Sequence, residues 1–222
     1  LTAKGGHYEP IAREAVPYAL PFFIVSLVCW LLGLGWWSLV FLAISVTIAL
    51  FFRNPDRTPP DRSGVVVSPA DGTVYQVIED DASERLETDG LKRVSIFMSV
   101  FNVHVNRAPV SAVVKTITFI PGGYLDARDE ESSQTNVRNS LILESADAVI
   151  ETVQVAGKVA RRISCWVREG DYVEQGQRIG LIHFGSRLDV YLPSRYRITV
   201  TPGETVSAGV SIIAEHDDAG ND

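Results

Sequence analysis

The chain has 222 residues, 46% of them hydrophobic, a formal net charge of −7 and two cysteines. Residues 1–58 carry a charge of +1, so the 164 residues after them carry −8, the wrong sign for a nucleic-acid partner, which needs a basic footprint. Cys29 lies in an apolar run and Cys165 far away in a polar context, so no disulfide scaffold is expected, and without a CxxC or HExxH spacing no metal site is expected either.

Residues 15–52 contain no charged side chain. Gly33, Gly35 and the Trp36-Trp37 pair break the run near its middle, which predicts two helices of roughly 17 to 20 residues joined by a tight turn. At about 1.5 Å per residue each helix reaches about 25–30 Å, close to the hydrocarbon thickness of a bilayer, so a two-pass hairpin and a re-entrant one both fit. Pro17 and Pro21 are expected to kink or shorten the first helix. The run is double and no A-x-A site follows it, so it does not read as a cleaved signal peptide. Lys4 and Arg13 precede it, and Arg53 and Arg57 follow. The positive-inside rule then puts both ends, and the domain beyond, on the cytoplasmic face of the cell membrane. The competing reading, a core hairpin of a soluble protein, fits so long an apolar run poorly.

A Pro-rich charged linker, NPDRTPPDRSG, follows Arg53, and the chain divides into residues 1–58 (hairpin and linker) and 59–222 (a second domain). Short Val- and Ile-rich runs then succeed one another, among them VVVSPADGTVYQVI, RVSIFMSV, AVVKTITFI, AVIETVQV and LDVYLP, separated by Gly, Asp, Asn and Pro. They predict a mainly β domain, an antiparallel sandwich or barrel-sandwich with few short helices. Within it, VREGDYVEQGQRIGLI (167–182) resembles the hairpins of lipoyl and biotinyl domains, with glycines suited to positive-φ turns. His7 and His216 fall in terminal segments expected to be solvated, as is the acidic end from Glu215 to Asp222.

Three segments carry the chemistry: Ser68-Pro-Ala-Asp71-Gly-Thr, Phe101-Asn-Val-His104-Val-Asn-Arg-Ala-Pro109, and Phe184-Gly185-Ser186. Each alone is ordinary: Asp-Gly is a common turn, a lone His in a β-run is usually structural, and Gly-Ser is a frequent dipeptide. In this order, behind a membrane-type hairpin, they resemble the short form of the phosphatidylserine decarboxylase proenzyme family over roughly residues 53–214. The resemblance implies self-cleavage at Gly185-Ser186 into a β chain (1–185) and an α chain (186–222) that stay together as a heterodimer. Ser186 becomes a covalent pyruvoyl cofactor, His104 acts as the base and Asp71 orients it, as in a Ser-His-Asp arrangement. The implied reaction converts phosphatidylserine to phosphatidylethanolamine through a Schiff base, with a phospholipid substrate and a membrane as partners. His183, three residues before Ser186, reads as a basic neighbour on the same strand.

Residues 121–140 form a long polar stretch ending in Asn136-Val-Arg138-Asn139, which matches the family's pattern there. Arg138 is a candidate clamp for the lipid phosphate, flanked by Asn136 and Asn139; an exposed loop arginine is the plainer reading. The run Asp129-Glu130-Glu131 is more acidic than that pattern suggests. Two other functions compete: an archaetidylserine decarboxylase, with the same chemistry on an ether lipid, and a non-enzymatic membrane-anchored barrel-sandwich adaptor. A lipoyl-type carrier would need a lysine between methionines, and neither Met98 nor Lys158 supplies that setting.

Overall fold

The computed structural model describes residues 8–83, 86, 90–123, 135–157, 162–183 and 186–216. The chain forms two compact units, Gly6–Asp56 and Arg57–Asp222.

In the first unit a 3₁₀ turn, Arg13–Ala15, leads into α1 (Val16–Leu31), and α2 (Gly35–Phe51) follows a three-residue turn. Gly33 takes φ 76° in that turn, a conformation few side chains tolerate. Pro17 sits in the first helical turn, where its missing N–H costs nothing, and α1 runs on through Pro21. Ser26 donates to the Ser38 carbonyl at 2.9 Å and Ser45 to the Ala19 carbonyl at 3.0 Å, so these two serines face the seam between the helices. Phe23, Ile24, Trp30, Leu31, Trp36 and Leu39 point outward and are exposed. Arg13–Leu31 is long and apolar enough to cross a membrane, while α2 is shorter.

The second unit is β throughout its described residues, as the alternating runs predict. Its strands are β1 (Val65–Val67), β2 (Gly72–Asp81), β3 (Leu91–Met98), β4 (Val105–Arg107), β5 (Ala112–Ile120), β6 (Arg138–Glu144) and β7 (Val149–Ala156), followed by β8 (Ile163–Cys165), β9 (Tyr172–Val173), β10 (Arg178–Ile182), β11 (Ser186–Leu192), β12 (Tyr196–Ile198), β13 (Thr205–Val206) and β14 (Ile212–His216). Eight of them make one antiparallel sheet in the order β13-β2-β3-β11-β7-β6-β5-β9, and two three-stranded sheets, β1-β14-β12 and β4-β10-β8, complete the unit. Register shifts in β2 and β5 mark bulges, which add local twist and curl the large sheet. A single apolar cluster joins the three sheets. Val94, Ile96 and Met98 of β3, Leu188 and Val190 of β11, and Leu141 and Leu143 of β6 pack with Val66, Ile182 and Ile213 of the smaller sheets.

The 167–182 segment folds as β9, a turn and β10, with positive φ at Gly170 and Gly176. Two histidine expectations are corrected. His216 ends β14, its ring 5.3 Å from that of Tyr196, because β14 lies between β1 and β12 and is therefore paired rather than loose. His183 does not share a strand with Ser186: β10 ends at Ile182 in one sheet and β11 begins at Ser186 in another, so the chain changes sheets across the residues between them. His7 lies outside the described residues.

Candidate active site

Ser186 is the first residue of β11, the strand flanked by β3 and β7 within the large sheet. Its register partners are Met98 on one side and Ala156 on the other. The residue is fully buried, and its Oγ has no hydrogen-bond partner among the described residues. An orphaned hydroxyl in an apolar setting costs about 1–3 kcal/mol, so such a group calls for an explanation beyond stability.

His104 reaches this place by two tethers. Only the short loop 99–103 separates it from Met98, and its carbonyl accepts from the N–H of Ile182, four residues before Ser186, at 3.3 Å. The loop is folded by Asn102, whose Oδ1 accepts from the Ser99 N–H at 2.8 Å and the Ser99 hydroxyl at 2.7 Å. The His104 ring is buried, with Nδ1 3.0 Å from the Asn102 carbonyl oxygen. A proton on Nδ1 donates to that carbonyl and leaves the lone pair on Nε2, the tautomer a general base needs.

Asp71 occupies the turn before β2. Both of its oxygens are held by Arg57, Nη2 donating to Oδ2 at 2.8 Å and Nη1 to Oδ1, and Oδ1 also accepts from the Ala208 N–H at 2.7 Å. The hydrogen bond to His104 expected from a Ser-His-Asp arrangement is thus replaced by two others: Asn102 orients the imidazole, and Arg57 takes the carboxylate.

The other candidates separate by face. Arg138 pairs with Val155 and Val155 with Arg187, so Arg138 leaves the large sheet on the face opposite Ser186. Asn136 and Asn139 are buried and tie strands together. The Asn136 amide donates to the Ala156 carbonyl at 3.0 Å, and the Asn139 amide to Gln154 Oε1 at 2.9 Å. Gln154 in turn donates to Asn106 Oδ1 at 2.8 Å, and the Asn106 amide lies 3.7 Å from Met98 Sδ. This relay of buried amides links the large sheet to β4 beside the register partner of Ser186. Asn106 and Gln154 were not expected from the sequence; the one available signal was two amides within otherwise apolar strands. Gly180 leaves room for it, since a Cβ there would lie 2.5 Å from the Ser164 carbonyl oxygen and 3.1 Å from Gln154 Nε2. His183 is buried, its Nε2 3.2 Å from Ser164 Oγ. Gly185 and the Asp129-Glu130-Glu131 run lie outside the described residues.

The face opposite Ser186 carries a buried charged network. Arg187 donates to Asp189 Oδ2 through Nε and Nη2 at 3.2 and 3.0 Å, Arg93 pairs with Asp81, and Glu151 accepts from Ser83 and Ser140. Burial first, then the negative charge of Asp189, pushes the Tyr191 phenol well above the ordinary tyrosine range. A separate groove of about 560 Å³ lies at the far end of the large sheet, lined in part by Arg62, Glu144, Asp147, Tyr172 and Tyr196, and contains none of the candidate residues.

The sequence profile of the phosphatidylserine decarboxylase family matches residues 45–214. The chain belongs to that family. A curated relative from Syntrophus aciditrophicus (strain SB), called phosphatidylserine decarboxylase proenzyme, is 44% identical over 207 residues, which is 92% of this chain and 97% of that protein. In this family member PADG leads into β2, the His104 loop joins β3 to β4, and Ser186 opens the strand between β3 and β7.

Proposed function

We propose that this chain cuts itself between Gly185 and Ser186 and then decarboxylates phosphatidylserine to phosphatidylethanolamine at the cytoplasmic face of a membrane. The observation that carries the reading is the buried Ser186 Oγ, without a hydrogen-bond partner among the described residues and beside the His104 loop, in a chain whose family is established.

For the cut, His104 Nε2 takes the proton of Ser186 Oγ, and Oγ attacks the Gly185 carbonyl carbon. The C–O bond forms, the peptide C–N bond breaks and the leaving nitrogen takes up the proton that His104 removed from Oγ, leaving an ester and a free amine. Removal of the Ser186 Cα proton expels the Gly185 carboxylate, and water converts the dehydroalanine left behind to pyruvoyl with release of ammonia. Ser186 fits this role because no described residue engages its oxygen. The pyruvoyl carbonyl supplies an electron sink for loss of carboxylate from an amine-bearing substrate. During turnover His104, buried and fixed by Asn102, holds or returns a proton at the reacting carbon. Asp71 keeps the PADG turn against the 208 segment, and the buried amide relay through Asn106 excludes water from the wall behind Ser186. Arg138, at the start of β6, is proposed to meet the phosphate from the other face of the sheet end.

The exposed apolar surface of α1 and α2 supports a membrane anchor, and a two-chain lipid that barely leaves the bilayer gives such an anchor its purpose. Replacing His104 with Ala should leave an intact 24.4 kDa chain on a denaturing gel, whereas the parent separates into residues 1–185 and a small fragment, 186–222, whose mass shows a pyruvoyl terminus. Efficient cleavage of the His104→Ala variant would remove His104 from the base role.

A further inference from the structure

Arg57 is the first residue after the hairpin unit, and its side chain is spent on Asp71. The contact is two-pronged, with side-chain exposures of 15% for Arg57 and 12% for Asp71. It closes into a ring: Arg57 Nη1 also donates to the Ala208 carbonyl at 2.9 Å, while the Ala208 N–H donates to Asp71 Oδ1 at 2.7 Å. Neighbouring bonds extend the seam, Ser68 N–H to the Ser211 carbonyl and Gly209 N–H to the Ser68 carbonyl, both at 2.7 Å. From the PADG turn the frame passes directly to the cleavage strand. The Arg107 N–H donates to the Pro69 carbonyl at 2.9 Å, and Thr73 pairs with Phe97, which pairs with Arg187.

We propose that Arg57 is a positioning residue for self-cleavage. It holds Asp71 and the 208 segment in one arrangement and so sets the wall against which His104 and Ser186 meet. This rests on the reading of Gly185-Ser186 as a cleavage site, and it adds a consequence: Arg57 and Asp71 belong to the larger fragment and Ala208 to the smaller. The ring is therefore a non-covalent staple across the cut, next to the site, and it starts at the residue where the membrane hairpin ends. A guanidinium is needed because only its planar fork engages both carboxylate oxygens while a third bond reaches the Ala208 carbonyl. A lysine keeps the charge and loses the fork.

The test follows self-cleavage of the full chain in detergent, comparing the parent with Arg57→Ala, Arg57→Lys and Arg62→Ala. Arg62 is a linker residue whose ion pair with Glu215 is half exposed, and it serves as the control. The expected result is a slowing of at least about tenfold for Arg57→Ala, a smaller slowing for Arg57→Lys, and none for Arg62→Ala. Added guanidinium at non-denaturing concentration should restore cleavage of Arg57→Ala and leave the other proteins unchanged. A general loss of folding would not respond in that way. Cleavage of Arg57→Ala at or above the parent rate would overturn the proposal, as would a slowing that guanidinium fails to relieve. If the parent itself remains uncut under cleaving conditions, the fault lies with the cleavage reading rather than with Arg57.

Discussion

At the residue scale, the polar groups around β11 divide into two kinds. Next to Ser186 the polar groups are neutral: a serine, an imidazole and a chain of amides. On the opposite face charged groups gather: Arg187, Asp189, Arg93 and Asp81 answer one another, and Glu151 accepts from two serines. Tyr191 lies among these charges, with the Arg93 guanidinium 5.9 Å from its ring centre. Burial and Asp189 raise its folded pKa above the unfolded value of about 10. The stability this contributes is complete below pH about 10 and falls away as pH climbs toward the folded value, because the unfolded chain releases the proton first. In an ultraviolet phenolate titration Tyr191 should ionise only together with unfolding. Tyr191→Phe should soften the alkaline loss of stability and leave neutral stability nearly unchanged; an identical alkaline transition in the variant would refute the assignment.

At the element scale, β2 approaches β3 so closely at Gly72 that the position admits no side chain. A Cβ there would lie 2.1 Å from the Phe97 carbonyl oxygen and 2.9 Å from the Phe97 carbonyl carbon. Backbone cannot yield as a flexible side chain does. Gly72→Ala should therefore cost at least about 1–3 kcal/mol, which in a domain this size lowers the melting temperature by several degrees. Because Phe97 and Met98 pair with Arg187 and Ser186, the same variant should also slow the appearance of the small fragment on a gel. The Asp-Gly of PADG looks like any turn in the sequence. The need for glycine there comes from the strand facing it, twenty-five residues later.

At the scale of the whole molecule, the apolar cluster of the second unit runs from Val66 to Ala214 and includes no hairpin residue. A chain beginning at Arg57 should therefore fold, as judged by circular dichroism and a cooperative melt, and should cut itself. A chain beginning at residue 58 lacks the guanidinium on Asp71 and should cut itself slowly. Equal cleavage by the two would count against the ring at Arg57.

Much of this was legible in the sequence because it rests on local pattern. Thirty-eight uncharged residues, 15–52, broken by Gly33 and Gly35, predict two apolar helices joined by a turn. Alternation and turn residues force short strands, and the order of PADG, the His104 segment and Gly185-Ser186 is itself a linear feature. What only the tertiary structure decided depends on partners distant in the chain: that the residues before Ser186 change sheets, that Ser186 and Arg138 leave opposite faces, and that Asn102 and Arg57 take the bonds a simple triad would give to Asp71 and His104. Periodicity sets which residues share a face of one strand. It carries no information on which strand lies alongside or in what register, and a buried carboxylate binds whichever cation that pairing brings to it.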